Sequence, residues 1–204
     1  MSPAKHDSSS AKPLVVGIGG TTRPDSSSER ALRVALRAAE EAGARTLLFD
    51  GPFLARLPLF APEKQERTPE QNQLVQAVQQ AAGLIVASPG YHGGISGLVK
   101  NALDLLEDLR DDKRIYLDGR AVGCIVSAAG WQAAVTTLES LRAIVHALRG
   151  WPTPLGATLN SADKLFDAHG TCTDAKAAQQ LATVGRQVTE FALVHYRHGG
   201  ERTR

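Results

Sequence analysis

The first apolar run of the chain, residues 14–19, reads LVVGIG, and a polar turn and a helical stretch follow it directly. An uninterrupted apolar run of this length is typical of a strand that is buried on both faces of a sheet. The helical stretch, Ser28 to Gly43, has apolar residues on one face and ends at a glycine, which is a common stop signal. This strand–turn–helix unit predicts the beginning of a parallel sheet covered by helices.

Four more β-rich runs follow, and helical stretches separate them. The strands are predicted at Thr46–Phe49, Gly83–Ala87, Ala121–Ser127 and Leu155–Leu159. Five strands alternating with helices in 204 residues predict an α/β fold, a flavodoxin-like three-layer sandwich with a parallel sheet of order 2-1-3-4-5. We expect a single domain over residues 13–197, a flexible leader at 1–12 and a flexible tail at 198–204.

Composition and charge exclude several classes of protein. The 23 Lys+Arg and 21 Asp+Glu residues leave a net charge of +2, which argues against a nucleic-acid-binding protein. Cys124 and Cys172 have no zinc-ligand spacing, and no window approaches the roughly 20 apolar residues of a membrane span. No metal site is predicted, and we expect a cytoplasmic protein.

Two apolar stretches lie outside the predicted strands. The segment Gly51 to Thr68 contains three prolines and several large apolar residues, so a long loop is predicted. The helix that follows Ser96 and runs to about Leu109 has an apolar surface wider than one sheet contact requires. From these two features we expect a homodimer or homotetramer.

The fold class indicates where chemistry is expected. In open parallel sheets, ligands bind outside the carboxyl ends of the strands, at the point where the strand order reverses. The loops after the first, third and fourth predicted strands meet this condition.

The loop after the first strand has the composition of a phosphate site. Thr21, Thr22, Ser26 and Ser28 provide hydroxyl groups, and Arg23 can provide a charge-assisted hydrogen bond. The N-terminus of the next helix adds free N–H groups and a partial positive charge. Together these groups predict a pocket for a terminal phosphate monoester.

Other interpretations of this loop exist. A Walker loop requires a lysine, and none stands between Lys12 and Lys64. Gly17 and Gly19 begin a dinucleotide fingerprint, but Thr22 stands where the third glycine belongs. Asp50 could bind a ribose, so a Rossmann NAD-binding module stays an alternative. The serines could also be a helix cap and nothing more.

The loop after the third strand, residues 88–101, reads SPGYHGGISGLVKN. Its glycines allow a flat ring to approach the main chain, and Tyr91 can provide a wall for that ring. A polar planar heterocycle is the kind of ligand that such a loop fits.

Both loops resemble signatures of the NADPH-dependent FMN reductase family. The first resembles G-[ST]-x-R-x-x-S-x-[NS], and the second resembles S-P-x-Y-x-x-x-x-x-G-x-[LV]-K-N. The resemblance implies bound FMN, with NAD(P)H as the electron donor. It also implies phosphate contacts at Thr21, Arg23, Ser26 and Ser28, and ring contacts at Pro89, Gly90, Tyr91, His92 and Gly93.

The loop after the fourth strand completes the predicted site. Ser127 and Gly130 belong to a run of small residues whose N–H groups could face the pyrimidine end of a flavin. Trp131 could form a wall of the nicotinamide site or pack between helices. His92 could relay a proton or make an edge contact, and no catalytic side chain is required because the cofactors perform the hydride transfer.

The function predicted first is an NAD(P)H-dependent FMN reductase that supplies reduced flavin to a partner monooxygenase. A quinone, azo-dye or chromate reductase with tightly bound FMN is the alternative within the same class. A flavodoxin-type electron carrier is the alternative from another class, and it would require a strongly acidic face that a net charge of +2 does not favour.

Overall fold

A computed structural model of the chain describes residues 12–198. The strands are β1 (Leu14–Gly19), β2 (Arg45–Phe49), β3 (Gly83–Tyr91), β4 (Gly94–Ile95), β5 (Ala121–Ala128), β6 (Trp151–Pro152) and β7 (Ala157–Asn160). The α-helices are α1 (Ser27–Glu41), α2 (Gly51–Leu54), α3 (Pro69–Gln80), α4 (Gly97–Asp104), α5 (Trp131–Ala147) and α6 (Ala175–His198), and a 3-10 segment covers Leu105–Leu109. The predicted flexible leader and tail lie outside the described residues, apart from Lys12 and His198.

The sheet confirms the predicted fold class and strand order. Its order is β2-β1-β3-β5, and β6 and β7 both pair with the far side of β5. All of these pairings are parallel, and only β4 runs antiparallel, along β3. Helices α1 and α6 cover one face of the sheet, and α3, α4 and α5 cover the other.

The predicted number of strands was wrong, because the described residues form seven strands instead of five. The two additional strands are β4 and β6, and the predicted fifth strand, Leu155–Leu159, corresponds to β7, which residues 153–156 separate from β6. Pro154 has no N–H to donate, and the N–H of Leu155 donates to the side chain of Gln187 rather than to the sheet. The segment around Leu155 therefore leaves the ladder between the two short strands.

The third strand is longer than predicted. It continues from Ala87 to Tyr91 and turns back into β4 through His92 and Gly93. Both turn residues have positive φ, 51° and 83°, as in the type I′ turn that suits a two-residue hairpin. Pro89 and Gly90 are unfavourable in strands, so the sequence pattern predicted a loop here.

The long segment after β2 is partly helical. Asp50 accepts a hydrogen bond from the N–H of Phe53 and so begins the one-turn helix α2, where a loop was predicted. Thr68 caps α3, and Gln71 completes a capping box with it. At each end of the predicted loop, therefore, a side chain caps the first turn of a helix.

The apolar surface that predicted an oligomer is covered within the chain. Leu103, Leu105, Leu106 and Leu109 are all buried in the core between the sheet and the long segment. This surface therefore gives no reason to expect a partner subunit. Leu59, on the long segment, is 82% exposed. Among the described residues, no helix is long and apolar enough to cross a membrane.

Candidate functional site

The three predicted loops meet at one edge of the sheet. Gly19, at the end of β1, pairs with Ala87 on β3, and Pro89 on β3 pairs with Ser127 on β5. The three strands are parallel neighbours, so the loops that leave their carboxyl ends lie side by side. We call this edge the carboxyl shelf, formed by residues 20–28, 88–95 and 128–132.

The exposed half of the first loop is a tight turn. The hydroxyl of Thr21 donates to the carbonyl of Arg23 and accepts from its N–H, both at 3.1 Å. Arg23 is exposed, and Asp25 has a positive φ of 54°. The turn thus fixes the loop backbone and leaves the Arg23 guanidinium free to reach an anion.

The buried half of this loop begins helix α1. Ser26 Oγ accepts from the N–H of Glu29 at 3.3 Å, and Ser26 Oγ and Ser28 Oγ are 3.2 Å apart. The interpretation of Ser26 as a helix cap is therefore confirmed. A capping hydroxyl still has a proton to donate, and the N–H groups of the first helical turn have no partner inside the helix.

Acidic groups beneath the loop make cationic or backbone contacts, and only Glu29 Oε2 is buried without a hydrogen-bond partner among those carboxylate oxygens in the described residues. Glu29 is almost fully buried, and its Oε1 lies 2.7 Å from Nη2 of Arg33. Asp50 Oδ1 accepts from Phe53 N at 3.0 Å, and its Oδ2 lies 3.8 Å from Arg33. The position suggested for a ribose ligand is therefore occupied by structural contacts, which weakens the dinucleotide interpretation.

The second loop is the hairpin of β3 and β4, and Ser88 fixes its base. The Ser88 hydroxyl is fully buried, donates to the carbonyl of Pro89 at 2.8 Å and accepts from Ser96 N at 3.0 Å. Gly90 is required by packing, because a Cβ there would lie 2.8 Å from Ala128 Cβ and from Thr137 Oγ1. The glycine therefore allows the close contact of the hairpin with β5 and α5, and its contact with a ring stays a prediction.

The tip of the hairpin is open. Tyr91 is 55% exposed, and His92 and Gly93 are also exposed. A Cβ at Gly94 would meet no atom within 4 Å, and one at Gly93 would meet only Thr136 Cγ2, at 4.0 Å. These residues leave free space above the shelf, as the prediction for Tyr91, His92 and Gly93 requires.

The third loop differs from the prediction at Gly130. Its N–H donates to Asn160 Oδ1 at 3.0 Å and is therefore not available to a ligand. The free N–H groups belong instead to the first turn of α5, which starts at Trp131 without a side-chain cap. Asn160 was not predicted as a site residue. The only feature of the sequence that indicates it is that it is a polar residue at the end of the last strand.

Ser127 and Trp131 flank this loop on its two sides. Ser127 is buried, and its hydroxyl has no hydrogen-bond partner in the described part of the chain. Trp131 is 57% exposed, so the interpretation that it packs between helices was wrong. Its indole is free to form a wall of the shelf.

The carboxyl shelf fits a ligand with a phosphate at one end and a flat ring at the other. The phosphate end has Arg23, two serine hydroxyls and a helix N-terminus, and the ring end has glycines around open space. Within residues 12–198, no cluster of three potential metal ligands is present.

The shelf is open rather than a closed cleft. A cavity of about 360 Å³ lies elsewhere, along the outer face of α1.

Comparison with known proteins agrees with this geometry. A model of the NADPH-dependent FMN reductase family matches residues 13–164. The fold is similar to that of FerB, a flavoenzyme NAD(P)H:(acceptor) oxidoreductase from Paracoccus denitrificans, with a TM-score of 0.75 and 18% identity over 90% of this chain and 98% of that one. It is similar to the apo form of the NADH:FMN oxidoreductase EMOB, with a TM-score of 0.64 and 19% identity over 90% of each chain.

The fold is also similar to RosB with bound 8-demethyl-8-formylriboflavin-5′-phosphate, with a TM-score of 0.71 and 15% identity over 91% of this chain and 81% of that one. Similarities at such identities show the fold, whereas the family match extends over three quarters of the sequence and includes both signature loops. The chain therefore belongs to the NADPH-dependent FMN reductase family and is an NAD(P)H-dependent flavin oxidoreductase with FMN as its cofactor.

Proposed function

We propose that the carboxyl shelf binds FMN and that the enzyme supplies reduced flavin to a partner monooxygenase. The observation that carries the proposal is the meeting of three loops at one sheet edge, with anion-binding groups on the first loop and open glycine backbone on the second. The family match supports the chemistry but does not identify the acceptor.

The phosphate end is assigned to Thr21, Arg23, Ser26 and Ser28. Arg23 provides the positive charge, and the two serine hydroxyls donate from the floor of the loop. The first-turn N–H groups of α1 add a partial positive charge, which favours anions at a helix N-terminus. Thr21 acts mainly by holding the turn, because its hydroxyl is engaged with the backbone of Arg23.

The ring end is assigned to Pro89, Gly90, Tyr91, His92 and Gly93, with Ser127 and Gly130 beneath. Bound FMN supplies the chemistry of accepting and passing on a hydride. The free N–H groups at the start of α5 are fixed by the helix. They therefore stabilise negative charge near the shelf without having to reorient during the reaction. Gly130 contributes through its backbone conformation, because its N–H donates to Asn160 Oδ1 and is not free for the ligand.

Tyr91, on the hairpin, and Trp131, at the start of α5, supply exposed aromatic surface. We propose that they position the planar donor and then the planar acceptor over the ring by stacking and by excluding water. His92 makes an edge contact in this scheme, because its place in the hairpin turn already explains its position.

Supply of reduced flavin to a second protein requires that flavin leave the site. The openness of the shelf and the exposure of Arg23 favour exchange over permanent burial. A quinone, azo-dye or chromate reductase with tightly held FMN is the second candidate, and the similarity to FerB, an NAD(P)H:(acceptor) oxidoreductase, favours it.

Two further parts of the proposal concern the cellular compartment and the oligomeric state. Both cysteines are free thiols, which suits a reducing compartment such as the cytoplasm. We retain a homodimer or homotetramer as a proposal on the exposure of Leu59 alone. Cell fractionation and light scattering test these two points.

The test of function is a visible spectrum of purified protein loaded with FMN, followed by anaerobic addition of NADH or NADPH. Bleaching of the flavin absorbance by either donor supports a reductase. Bound flavin that neither donor bleaches would support the electron carrier instead. Release of the reduced flavin through a dialysis membrane separates the monooxygenase-supplying enzyme from one that retains its FMN.

The assignment of the phosphate end is tested with Arg23→Ala and a control, Arg45→Ala, which removes an exposed arginine at the start of β2. We expect the FMN dissociation constant of Arg23→Ala to rise by roughly tenfold, as the loss of one charge-assisted hydrogen bond implies. Equal affinity of the two variants would remove the assignment.

A further inference from the structure

A carboxylate is buried directly beneath residues 20–28, which we call the phosphate loop. Glu29, in the first turn of α1, is 3% exposed, and its N–H donates to Ser26 Oγ at 3.3 Å. Its Oε2 lies against the backbone of Gly20, because a Cβ built on Gly20 would be 3.3 Å from that oxygen. Glu29 therefore contacts the phosphate loop at both of its ends.

The negative charge of Glu29 is only partly compensated. Its Oε1 accepts from Nε and Nη2 of Arg33, at 3.2 and 2.7 Å, whereas its Oε2 is buried and has no hydrogen-bond partner in the described part of the chain. The side chain of Arg33 is 47% exposed, and its Nη2 also lies 3.8 Å from Asp50 Oδ2. One guanidinium, half of it in water, therefore faces two carboxylates.

Two glycines allow the phosphate loop to pack closely on Glu29 and on the start of α2. A Cβ at Gly20 would lie 2.7 Å from the backbone nitrogen of Gly51, and a Cβ at Gly51 would lie 1.8 Å from the carbonyl oxygen of Thr21. No larger residue fits at either position without a shift of the backbone. At Gly20 the loop therefore covers the Glu29 carboxylate with backbone alone.

A carboxylate covered in this way does not touch a ligand and acts on it through its charge. Interactions between charges extend over about 10 Å at 0.1 M salt, and buried charges are screened less than exposed ones. An incompletely neutralised carboxylate against the phosphate loop therefore opposes the binding of a phosphate dianion there. Arg23 and the N-terminus of α1 act in the opposite direction.

We propose that Glu29 is a specificity-determining residue of the flavin site, whose charge weakens the binding of the flavin phosphate and so allows FMN to exchange. The inference rests on the proposed function, which places the phosphate on this loop. Riboflavin has the same ring and ribityl chain but no phosphate, so its binding should not depend on the charge of Glu29. Glu29 thus sets the ratio of FMN affinity to riboflavin affinity and leaves the binding of the ring unchanged.

The experiment is a fluorescence titration of the wild type, Glu29→Gln and Glu70→Gln with FMN and with riboflavin. Glu29→Gln keeps the shape of the side chain and removes its charge. Glu70→Gln is the matched control, because it is the same substitution in the first turn of α3, outside the shelf. We expect Glu29→Gln to lower the FMN dissociation constant about tenfold and to change that of riboflavin by less than about twofold. Glu70→Gln should change neither constant.

Arg33→Gln tests the same charge in the opposite direction. It removes a half-exposed guanidinium and leaves Glu29 without its cationic partner. We expect the FMN dissociation constant of Arg33→Gln to rise about tenfold, and riboflavin binding to stay unchanged. Urea denaturation shows whether each variant is folded. If Glu29→Gln does not fold, the two titrations of Arg33→Gln decide the proposal.

FMN affinity of Glu29→Gln that is equal to or weaker than that of the wild type overturns the proposal. An equal change in FMN and riboflavin affinity also overturns it, because Glu29 would then act by holding the fold and not by its charge. A wild-type protein that fails to bind FMN contradicts the proposed function, whereas a wild type that binds FMN and a Glu29→Gln variant that binds it no tighter contradict only the role of Glu29.

Discussion

Ser26 shows how one residue combines structure and binding at the start of α1. Its hydroxyl oxygen caps the helix by accepting from the N–H of Glu29, and the same oxygen lies 3.2 Å from Ser28 Oγ. The sequence left capping and phosphate binding as competing interpretations. The geometry makes them compatible, because accepting and donating use different parts of one hydroxyl group.

Ser26→Ala should separate these two roles when it is compared with Thr68→Ala, which removes the equivalent cap of α3 away from the shelf. Both variants should lose about 1 kcal/mol of unfolding free energy, measured by urea denaturation. Only Ser26→Ala should weaken FMN binding, by roughly tenfold. A similar loss of affinity in Thr68→Ala would mean that helix stability, and not the hydroxyl, governs binding.

His92 is a second residue whose role depends on its backbone. Its φ of 51° lies in the left-handed region that asparagine tolerates and β-branched residues avoid. His92→Asn should retain the turnover rate of the wild type within about twofold, because the turn is preserved and no proton relay is lost. His92→Val should lose about 1–3 kcal/mol of stability. If turnover by His92→Asn instead slows by roughly two orders of magnitude or more, His92 acts as the relay.

At the scale of elements, the hairpin of β3 and β4 depends on a side chain beneath it. Ser88 joins the strand end to the residue that caps α4, through Ser96 N. The caps of α1 and α3 could be predicted because serine and threonine precede them in a local pattern. The hairpin could not, because Pro89 and Gly90 oppose a strand locally and the contacts that favour it come from α5, more than 40 residues away.

Ser88→Ala should loosen this hairpin. Thr189→Ala is the control, because its hydroxyl is equally buried, lies on the opposite face of the sheet, and donates to the carbonyls of Ala39 in α1 and Gly185 in α6. We expect each variant to lose about 1–3 kcal/mol of stability, since each removes a buried bonded hydroxyl. Only Ser88→Ala should also raise the FMN dissociation constant. Unchanged FMN affinity in Ser88→Ala would show that the hairpin is not part of the site.

At the scale of the whole molecule, the strand order could be predicted because the alternation of apolar runs and helices restricts the topologies. Contacts between distant segments could not. Asn160 reaches Gly130 across 30 positions, and Arg30 reaches the carbonyl of Asp167 across 137. No local pattern predicts such pairs, so the hydrogen bonds of the Gly130 N–H and of the Arg30 guanidinium appear only in the folded chain.

The core also determines how stability depends on alkaline pH. Burial raises the pKa of the Cys124 thiol from 9.0 to about 12. Well below pH 9 the thiol is protonated in both states, and above it the unfolded chain loses its proton first, so stability falls as pH rises towards 12. Between pH 9 and 10 the loss attributable to Cys124 should be about 1 kcal/mol.

Urea denaturation at pH 8, 9 and 10 measures this loss, with Cys124→Ala as the reference that lacks the titrating group. We expect the stability of the wild type to fall more steeply with pH than that of Cys124→Ala. In the native protein at pH 8, a thiol reagent should leave Cys124 unmodified until denaturant is added. Parallel pH profiles of the two proteins would contradict the buried, protonated thiol.

The most direct test of FMN binding at the carboxyl shelf is a titration of ¹⁵N-labelled protein with FMN, followed by backbone amide NMR. We predict that the largest shifts fall on residues 20–28, 88–95 and 128–132, with little change at the amino ends of the strands or in α1 beyond its first turn. Shifts concentrated at the amino ends of the strands, or absent from one of the three loops, would contradict the placement of FMN on the carboxyl shelf.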